Sequence, residues 1–101
     1  MADPAAGKLR IDKWLWHARF FRTRSLAGKA VREGLVRLNS ERITKPAEQV
    51  GEGDVLTFPR GRQVVVVRVV APGLRRGPAE EARALFELLS PLPVPEPGSA
   101  S

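Results

Sequence analysis

The spacing of the apolar residues changes along the chain, and this change constrains the fold more than any other feature. Between residues 9 and 21 the apolar side chains recur with the period of an amphipathic helix. One stripe of that helix contains Ile11, Trp14, Leu15, Ala18 and Phe21. After Gly34 the apolar residues alternate with period two, as they do in strands. Helices followed by a run of strands predict the α+β class.

The first part of the chain predicts two helices joined by a short basic turn. The first covers residues 9–21. Thr23 can cap a second helix at residues 25–33, because a threonine hydroxyl accepts a hydrogen bond from an early backbone N–H. Gly34 is the expected stop, since glycine readily adopts the left-handed conformation that ends many helices. The side of the second helix predicted to be buried contains Leu26, Ala27, Ala30 and Val31.

The rest of the chain predicts a small, mostly antiparallel sheet against which the two helices pack, followed by a short C-terminal helix. Strands are predicted at residues 36–39, 43–45, 55–58 and 63–70. Turns are expected at Asn39-Ser40 and at residues 59–61. Residues 79–89 are predicted to form an amphipathic helix. Its apolar side contains Ala82, Leu85, Phe86 and Leu89.

These elements predict one compact domain with an extension. The domain is expected at residues 9–71, and the extension with its short helix at residues 72–90. Residues 1–8 are small and polar, and residues 91–101 hold four prolines, so both segments are expected to be disordered.

The positive charge of the chain is concentrated in its helical part. The net charge is +6, and residues 8–37 hold nine Lys and Arg against two acids, Asp12 and Glu33. The remaining residues hold eight bases against nine acids. Such a concentrated excess is the electrostatic footprint of a protein whose partner is a polyanion. Because the bases come from two helices and their turn, they can form one patch against the phosphates of a folded RNA.

The sequence offers no support for catalysis, metal binding or membrane insertion. There is no cysteine and one histidine, His17, so neither a thiolate site nor a pair of histidine ligands is available. Asp12 stands among bases, where capping or pairing with Arg10 or a neighbour is the expected role. No long apolar run or signal peptide is present. We therefore expect a non-catalytic, cofactor-free, cytoplasmic monomer.

Two aromatic residues, Trp16 and Phe20, fall outside the apolar stripe of the first helix. Lys13 lies between them on the helical wheel. One interpretation is a stacking platform for bases or ribose, flanked by cations. The other is that these rings pack beneath the sheet or the C-terminal helix, since a small domain needs its large apolar side chains for burial.

The run RIDKWLWHARFFRTRSLA at residues 10–27 resembles the helix-turn-helix opening (αL motif) of the S4-type RNA-binding domain. More specifically, it resembles that of the 15-kilodalton heat-shock protein family of ribosome-associated proteins. Residues 33–39, 45–46 and 50–56 resemble later parts of the domain, in the required order, and residues 75–82 resemble the family's extension. Ser40 stands where the family often has glycine, so the type of this turn is open. Residues 91–101 stand where longer members continue into a basic helix.

The resemblance implies that the chain binds structured RNA without catalysis. The implied partners are ribosomal RNA and tRNA on large ribosomal subunits that hold a stalled nascent chain, in rescue or quality control. The residues implied to bind RNA are Arg10, Lys13, Arg19, Arg22, Thr23, Arg24, Ser25, Lys29, Arg37 and Asn39, with Trp16 and Phe20 as candidate stacking residues. Helix capping is the alternative role of Thr23 and Ser25.

Two other interpretations of the function stay open. The chain can be a module that binds DNA or an acidic protein without a ribosomal role, because a basic patch attracts any polyanion. It can also belong to an RNA-modifying enzyme if a separate subunit supplies the chemistry, since S4-type domains often precede such catalytic domains.

Overall fold

The computed structural model describes residues 7–90, which contain three helices and seven strands. In chain order these are β1 (Leu9–Arg10), α1 (Ile11–His17), α2 (Arg24–Arg32), β2 (Arg37–Leu38), β3 (Glu41–Arg42), β4 (Gln49–Val50), β5 (Val55–Arg60), β6 (Gln63–Val69), α3 (Ala79–Arg83) and β7 (Phe86–Leu88). The segments predicted to be disordered, 1–8 and 91–101, lie outside the described residues apart from Gly7 and Lys8.

The strands form two antiparallel sheets. β1 pairs with β4, which places Leu9 opposite Val50. The other five strands lie in the order β3-β2-β5-β6-β7, and each pairs antiparallel with its neighbour. β5 and β6 form the longest pairing, which covers β5 from Val55 to Arg60 and β6 from Gln63 to Arg68. The α+β class and the antiparallel sheet are confirmed.

The core lies between the two N-terminal helices and one face of the larger sheet. Ile11, Trp14 and Leu15 of α1 are fully buried, and so is Val31 of α2. They share one cluster with the inward-facing residues of β5 and β6, which are Leu56, Phe58, Val65, Val67 and Val69. Trp14 also has a polar partner, because its Nε1–H donates to the carbonyl oxygen of Ala71 at 2.8 Å. The predicted packing of both helices on the sheet is therefore confirmed.

Helix α1 is shorter than predicted at both ends. Leu9 and Arg10 belong to a strand because they pair with β4, a long-range contact that local periodicity does not show. The helix stops at His17, and Arg19 has a φ of 65°, a left-handed conformation that breaks the helical path. Phe21 consequently leaves the predicted stripe and lies half-buried, 5.9 Å from the ring of Phe58.

Helix α2 keeps most of its predicted apolar side. Ala27, Ala30 and Val31 are buried, but Leu26 is 47% exposed, contrary to the prediction. Gly28 is buried as well, so α2 contacts the rest of the fold through Ala27, Gly28, Ala30 and Val31 and not through Leu26. Gly34 has a φ of 75° and ends the helix as predicted.

The first hairpin is tighter than predicted. The strand expected at residues 43–45 is wrong, because β3 lies at Glu41–Arg42, directly after the turn. Leu38 is opposite Glu41, so only two residues connect the strands. Asn39 and Ser40 have φ values of 52° and 75°, the positive signs that a type I′ hairpin turn requires. Ser40 thus adopts a conformation that glycine usually occupies.

Two further boundaries differ from the prediction for the same physical reason. Pro59 and Arg60 were assigned to a turn, but they extend β5 and face Val64 and Gln63 across the ladder. The predicted helix at 79–89 ends at Arg83, and Phe86–Leu88 forms β7 beside β6. In both places pairing with β6 outweighs the local pattern. β5 pairs with it across a turn, and β7 pairs with it from a distant part of the sequence.

Candidate nucleic-acid interface

The turn between α1 and α2 determines how the basic segment is presented. Ala18 and Phe20 still donate backbone hydrogen bonds to Trp14 and Leu15, at 2.9 and 3.1 Å. Helix α2 then begins because the Thr23 hydroxyl accepts a hydrogen bond from the backbone N–H of Leu26 at 3.1 Å. The predicted cap is confirmed. The hydroxyl keeps its own proton, which it can donate to a further acceptor.

The cations predicted to bind RNA lie at the surface. Arg10, Arg19, Arg22, Arg24, Lys29 and Arg37 are exposed, as is Ser25, and Lys13 is half-buried. We call six cations of α1, α2 and their flanking residues the basic face: Arg10, Lys13, Arg22, Arg24, Lys29 and Arg32. Of the two acids in residues 8–37, Glu33 is exposed and Asp12 is buried. The positive charge of this segment therefore faces solvent with little compensation.

Asp12 is the buried acid within the basic face. The Arg10 guanidinium donates to both of its oxygens, from Nε to Oδ1 at 3.2 Å and from Nη2 to Oδ2 at 3.1 Å. The Nε of Arg24 lies 3.5 Å from Oδ2. The expected pairing of Asp12 with Arg10 or a neighbour is thus confirmed, with two partners. Asp12 brings the start of α1 and the start of α2 together.

Arg19 and Trp16 contact the extension rather than the other predicted site residues. Arg19 Nε donates to the carbonyl oxygen of Gly77 at 2.6 Å. Arg76 Nε donates to the carbonyl oxygen of Trp16 at 3.2 Å, and its guanidinium carbon lies 5.9 Å from the centre of the Trp16 ring. We call these four residues the extension contact. It fastens residues 76–77 onto the end of α1.

Phe20 packs among aromatic side chains of the core. Its ring centre lies 4.7 Å from that of Phe86, 5.1 Å from that of Phe58 and 6.2 Å from that of Trp14. The guanidinium of Arg60 lies over the ring, 5.8 Å from its centre. The left-handed backbone at Arg19 directs Phe20 toward these residues. Of the two interpretations of Phe20, this position favours packing.

Asn39 is held by structural hydrogen bonds. Its Nδ2 donates to Oδ1 of Asp54 at 3.1 Å, and its Oδ1 accepts from the backbone N–H of Val55 at 2.8 Å. The other oxygen of Asp54 accepts from the N–H of Gly51 at 2.8 Å. These bonds join the first hairpin to the turn before β5. They give Asp54 a structural role at the end of the turn that precedes β5.

Two cations that were not in the predicted set lie beside it. Arg42 is directly opposite Arg37 in the hairpin and is exposed. Arg32 lies on α2, and its Nη1 approaches the position that a side chain on Gly28 would occupy. Arg32 is not among the residues of the predicted apolar side of α2, so its exposure agrees with the helical pattern. The position of Arg42 follows only from the hairpin register, which two-residue strands do not reveal in the sequence.

The described residues 7–90 include no group of three His, Cys, Asp or Glu side chains that is arranged to hold a metal ion. Within the same range, every helix is too short or too polar to cross a membrane. His17 is buried, and its Nδ1 lies 3.2 Å from the carbonyl oxygen of Pro72. The single histidine therefore packs against the extension.

The sequence and the fold both match known proteins. Residues 9–56 match the S4 domain family. Heat shock protein 15 of Escherichia coli is 40% identical over 86% of this chain, which spans 65% of the length of that relative. A heat shock protein 15 homolog of Aeromonas salmonicida is 38% identical over 86% of this chain and 67% of its own length. The RQC P-site tRNA stabilizing factor of Halalkalibacterium halodurans is 31% identical over 85% of this chain and 96% of its own length.

A solved structure agrees with these matches. Heat Shock Protein 15 of Vibrio cholerae superposes with a TM-score of 0.78 at 36% identity, covering 82% of this chain and 83% of that one. That structure is described as trimeric, so the relative lends no support to the expected monomer. The expectation of no enzymatic activity agrees with the names of these relatives, which refer to a heat shock protein and to a tRNA stabilizing factor. The chain belongs to the heat shock protein 15 family of S4-domain proteins.

Proposed function

We propose that this chain binds structured RNA through the basic face, and that the RNA is ribosomal RNA or tRNA on the large ribosomal subunit. The observation that carries the proposal is the charge of the basic face. Five of its six cations are exposed and Lys13 is half-buried, while the one acid among them, Asp12, is buried. A surface of this kind releases counterions when it meets a nucleic-acid backbone, which drives association.

The shape of the basic face favours folded RNA over duplex DNA. Its cations come from two short packed helices and their flanking residues, so they spread over a compact, irregular surface. No long, exposed recognition helix is present among the described residues, since α2, with nine residues, packs through Ala27, Gly28, Ala30 and Val31. Contacts to sugar and phosphate from several directions suit the backbone of a structured RNA.

The ribosomal context rests on the relatives. One relative of nearly the same length carries a name that refers to stabilizing P-site tRNA. We infer that this chain acts likewise in rescue or quality control of stalled nascent chains, and hence in the cytoplasm. The residues that we propose to contact the RNA are the basic face together with Thr23, Ser25 and Arg37.

The first experiment tests the basic face in vitro. Arg22 and Lys29 are the positions to change, because neither forms an ion pair with a carboxylate of the described residues, whereas Arg19 and Arg24 hold structural contacts. We expect Arg22→Glu with Lys29→Glu to weaken binding of a tRNA or ribosomal RNA hairpin by about 10²-fold at fixed salt. Fluorescence anisotropy measures the dissociation constant, and circular dichroism shows that the fold is kept.

The matched control changes the net charge equally but away from the basic face. Arg68→Glu with Arg83→Glu alters exposed residues of β6 and α3, and circular dichroism must also show that this variant is folded, because Arg68 forms an ion pair with Glu87 at 2.6 Å. We expect it to weaken binding much less. Equal losses in the two double variants would mean that net charge alone drives binding, and tighter binding of duplex DNA at matched salt would overturn the choice of RNA.

A second experiment tests the ribosome separately. The tagged chain is sedimented through sucrose gradients of host lysate, with and without translation stress. We expect it to migrate with free large subunits that carry peptidyl-tRNA, and the Arg22→Glu, Lys29→Glu variant to stay in the light fractions. Migration of the unaltered chain in light fractions alone would remove the ribosome from the proposal, while RNA binding would still stand on the anisotropy data.

A further inference from the structure

Asp12 places a negative charge within the basic face, although a surface that binds phosphate is expected to bind it more tightly without a carboxylate. Its side chain is only 8% exposed, so its charge has lost most of its hydration. Its negative charge also subtracts from the attraction that the basic face exerts on RNA. Both effects are unfavourable, so the contacts of Asp12 must supply something in return.

These contacts bring two arginines onto one oxygen atom. Oδ2 lies 3.1 Å from Nη2 of Arg10 and 3.5 Å from Nε of Arg24. Two guanidinium groups so close together repel each other unless an anion lies between them. Asp12 is that anion in the free protein. It holds both side chains in place although they start from different elements, β1 and α2.

The ends of both arginines that Asp12 does not use are open to solvent. Their side chains are 47% and 42% exposed. Arg10 donates from Nε and from one N–H of Nη2 to the carboxylate, and Arg24 approaches it through Nε at 3.5 Å, so each keeps terminal N–H donors free. A guanidinium edge matches the spacing of two phosphate oxygens. Two positive groups and one carboxylate leave a single positive charge, which one phosphodiester neutralises.

We infer that Arg10 and Arg24 form one binding site for a single RNA phosphate, and that Asp12 is the positioning residue that builds it. The inference rests on the proposed function and assigns a part of the basic face to one ligand group. Arg32 lies at the side of this site, since both its Nη1 and Oδ2 of Asp12 come within 4 Å of the position a Cβ on Gly28 would take. Asp12 thus strengthens RNA binding by ordering its partners in advance.

The two explanations of Asp12 predict opposite changes in RNA affinity for one variant. Asp12→Asn removes a negative charge from the basic face, so simple electrostatics predicts tighter RNA binding. If Asp12 positions the arginines, binding weakens by about tenfold, since two long side chains must then be ordered during association. Glu33→Gln is the matched control, because it removes the other acid of the segment, which is exposed and forms no ion pair among the described residues. We expect this control to bind as well as the unaltered chain or slightly better.

A second measurement does not depend on how well Asp12→Asn folds. Arg10→Gln, Arg24→Gln and the double variant change exposed side chains outside the core. If both arginines bind one phosphate, the double variant loses little more affinity than either single variant. Its salt dependence, the slope of log K against log salt, then falls by about 0.7–0.9, the value of one phosphate contact.

The outcomes separate the inference from the proposed function. The single phosphate site would be overturned if the Asp12→Asn variant bound RNA as tightly as Glu33→Gln does. It would also be overturned if the affinity losses of Arg10→Gln and Arg24→Gln added fully and the salt slope changed by the value of two phosphate contacts. Either result leaves RNA binding by the basic face intact. Failure of the unaltered chain to bind RNA, or insensitivity to Arg22→Glu with Lys29→Glu, would instead overturn the proposed function itself.

Discussion

The basic face and the extension are both rich in arginine, yet they use it in opposite ways. On the basic face, Arg22 and Arg32 are exposed and form no ion pair with a carboxylate of the described residues. In the extension, Arg75 pairs with Glu81 at 2.7 Å, and Arg76 lies on the ring and carbonyl oxygen of Trp16. The same type of side chain is thus a proposed ligand-binding group in one region and a packing group in the other.

The difference follows from what surrounds each arginine. The extension supplies acids within a few residues, at Glu80 and Glu81, and leads back over an aromatic residue of α1. The helical segment supplies only Asp12 and Glu33 for nine bases. A guanidinium that packs on its local partner contributes to the fold, whereas one that keeps terminal donors open to solvent, as Arg10 and Arg24 do beside Asp12, can bind a ligand. Net charge by itself does not distinguish these two uses.

Among substitutions of packing residues, Phe20→Ala is expected to have the largest effect on stability. Because the ring contacts Phe58 and Phe86, its removal is expected to lower the free energy of unfolding by about 3 kcal/mol, at the low end of the range for a fully buried phenylalanine. RNA affinity of the folded variant is expected to stay unchanged. Chemical denaturation followed by tryptophan fluorescence measures the stability.

Phe20→Leu is the control for this experiment. It keeps an apolar side chain of similar volume but removes the ring, so we expect it to restore most of the stability. Full stability of both variants, together with an affinity loss of about 1–3 kcal/mol, would show that Phe20 stacks on a base and belongs with the basic face.

A smaller effect is expected for the extension contact. Arg76→Ala removes the hydrogen bond to Trp16 and the cation–π contact, which together stabilise the fold by about 1–2 kcal/mol. We expect a lower melting temperature with unchanged RNA affinity. Arg75→Ala is the neighbouring control, since its exposed ion pair with Glu81 is worth less than about 1 kcal/mol. A loss of RNA affinity in Arg76→Ala would place the extension in the interface and remove the contrast between the two regions.

Local sequence patterns predict the parts of this fold that short-range physics controls. The Thr23 cap, the Gly34 stop and the valine-rich strand β6 were all predicted because each depends on its own residues and near neighbours. The aromatic run at residues 20–21 was harder, since one left-handed residue, Arg19, redirects both rings. Nothing in the sequence marks an arginine as left-handed.

The misassigned elements depend on distant partners. Phe86 fits a helical pattern with Ala82, Leu85 and Leu89. Phe86 and Leu88 also fit period two, and only the free edge of β6 decides between the patterns. β1 exists because β4 lies beside it. At the candidate interface, composition predicted which segment is basic. The sharing of Asp12 by Arg10 and Arg24 depends on how α1 and α2 pack, so the sequence indicated a partner for Asp12 but not two.

The smallest effect on stability is expected for Arg22, a residue of the basic face that is exposed and forms no ion pair among the described residues. Arg22→Gln changes an exposed residue of the turn that has no described ion pair, so the free energy of unfolding should change by less than about 0.5 kcal/mol. If Arg22 contacts one phosphate, the slope of log K against log salt falls by about 0.7–0.9. Titrations of a tRNA hairpin at four salt concentrations measure this slope. An unchanged slope would mean that Arg22 is an ordinary solvated residue, and the interface would then contract to the cations around Asp12. For Arg22→Gln we expect a changed slope and unchanged stability, whereas for Arg76→Ala we expect lower stability and unchanged RNA binding. The two variants together test whether the arginines of this chain divide between binding and packing.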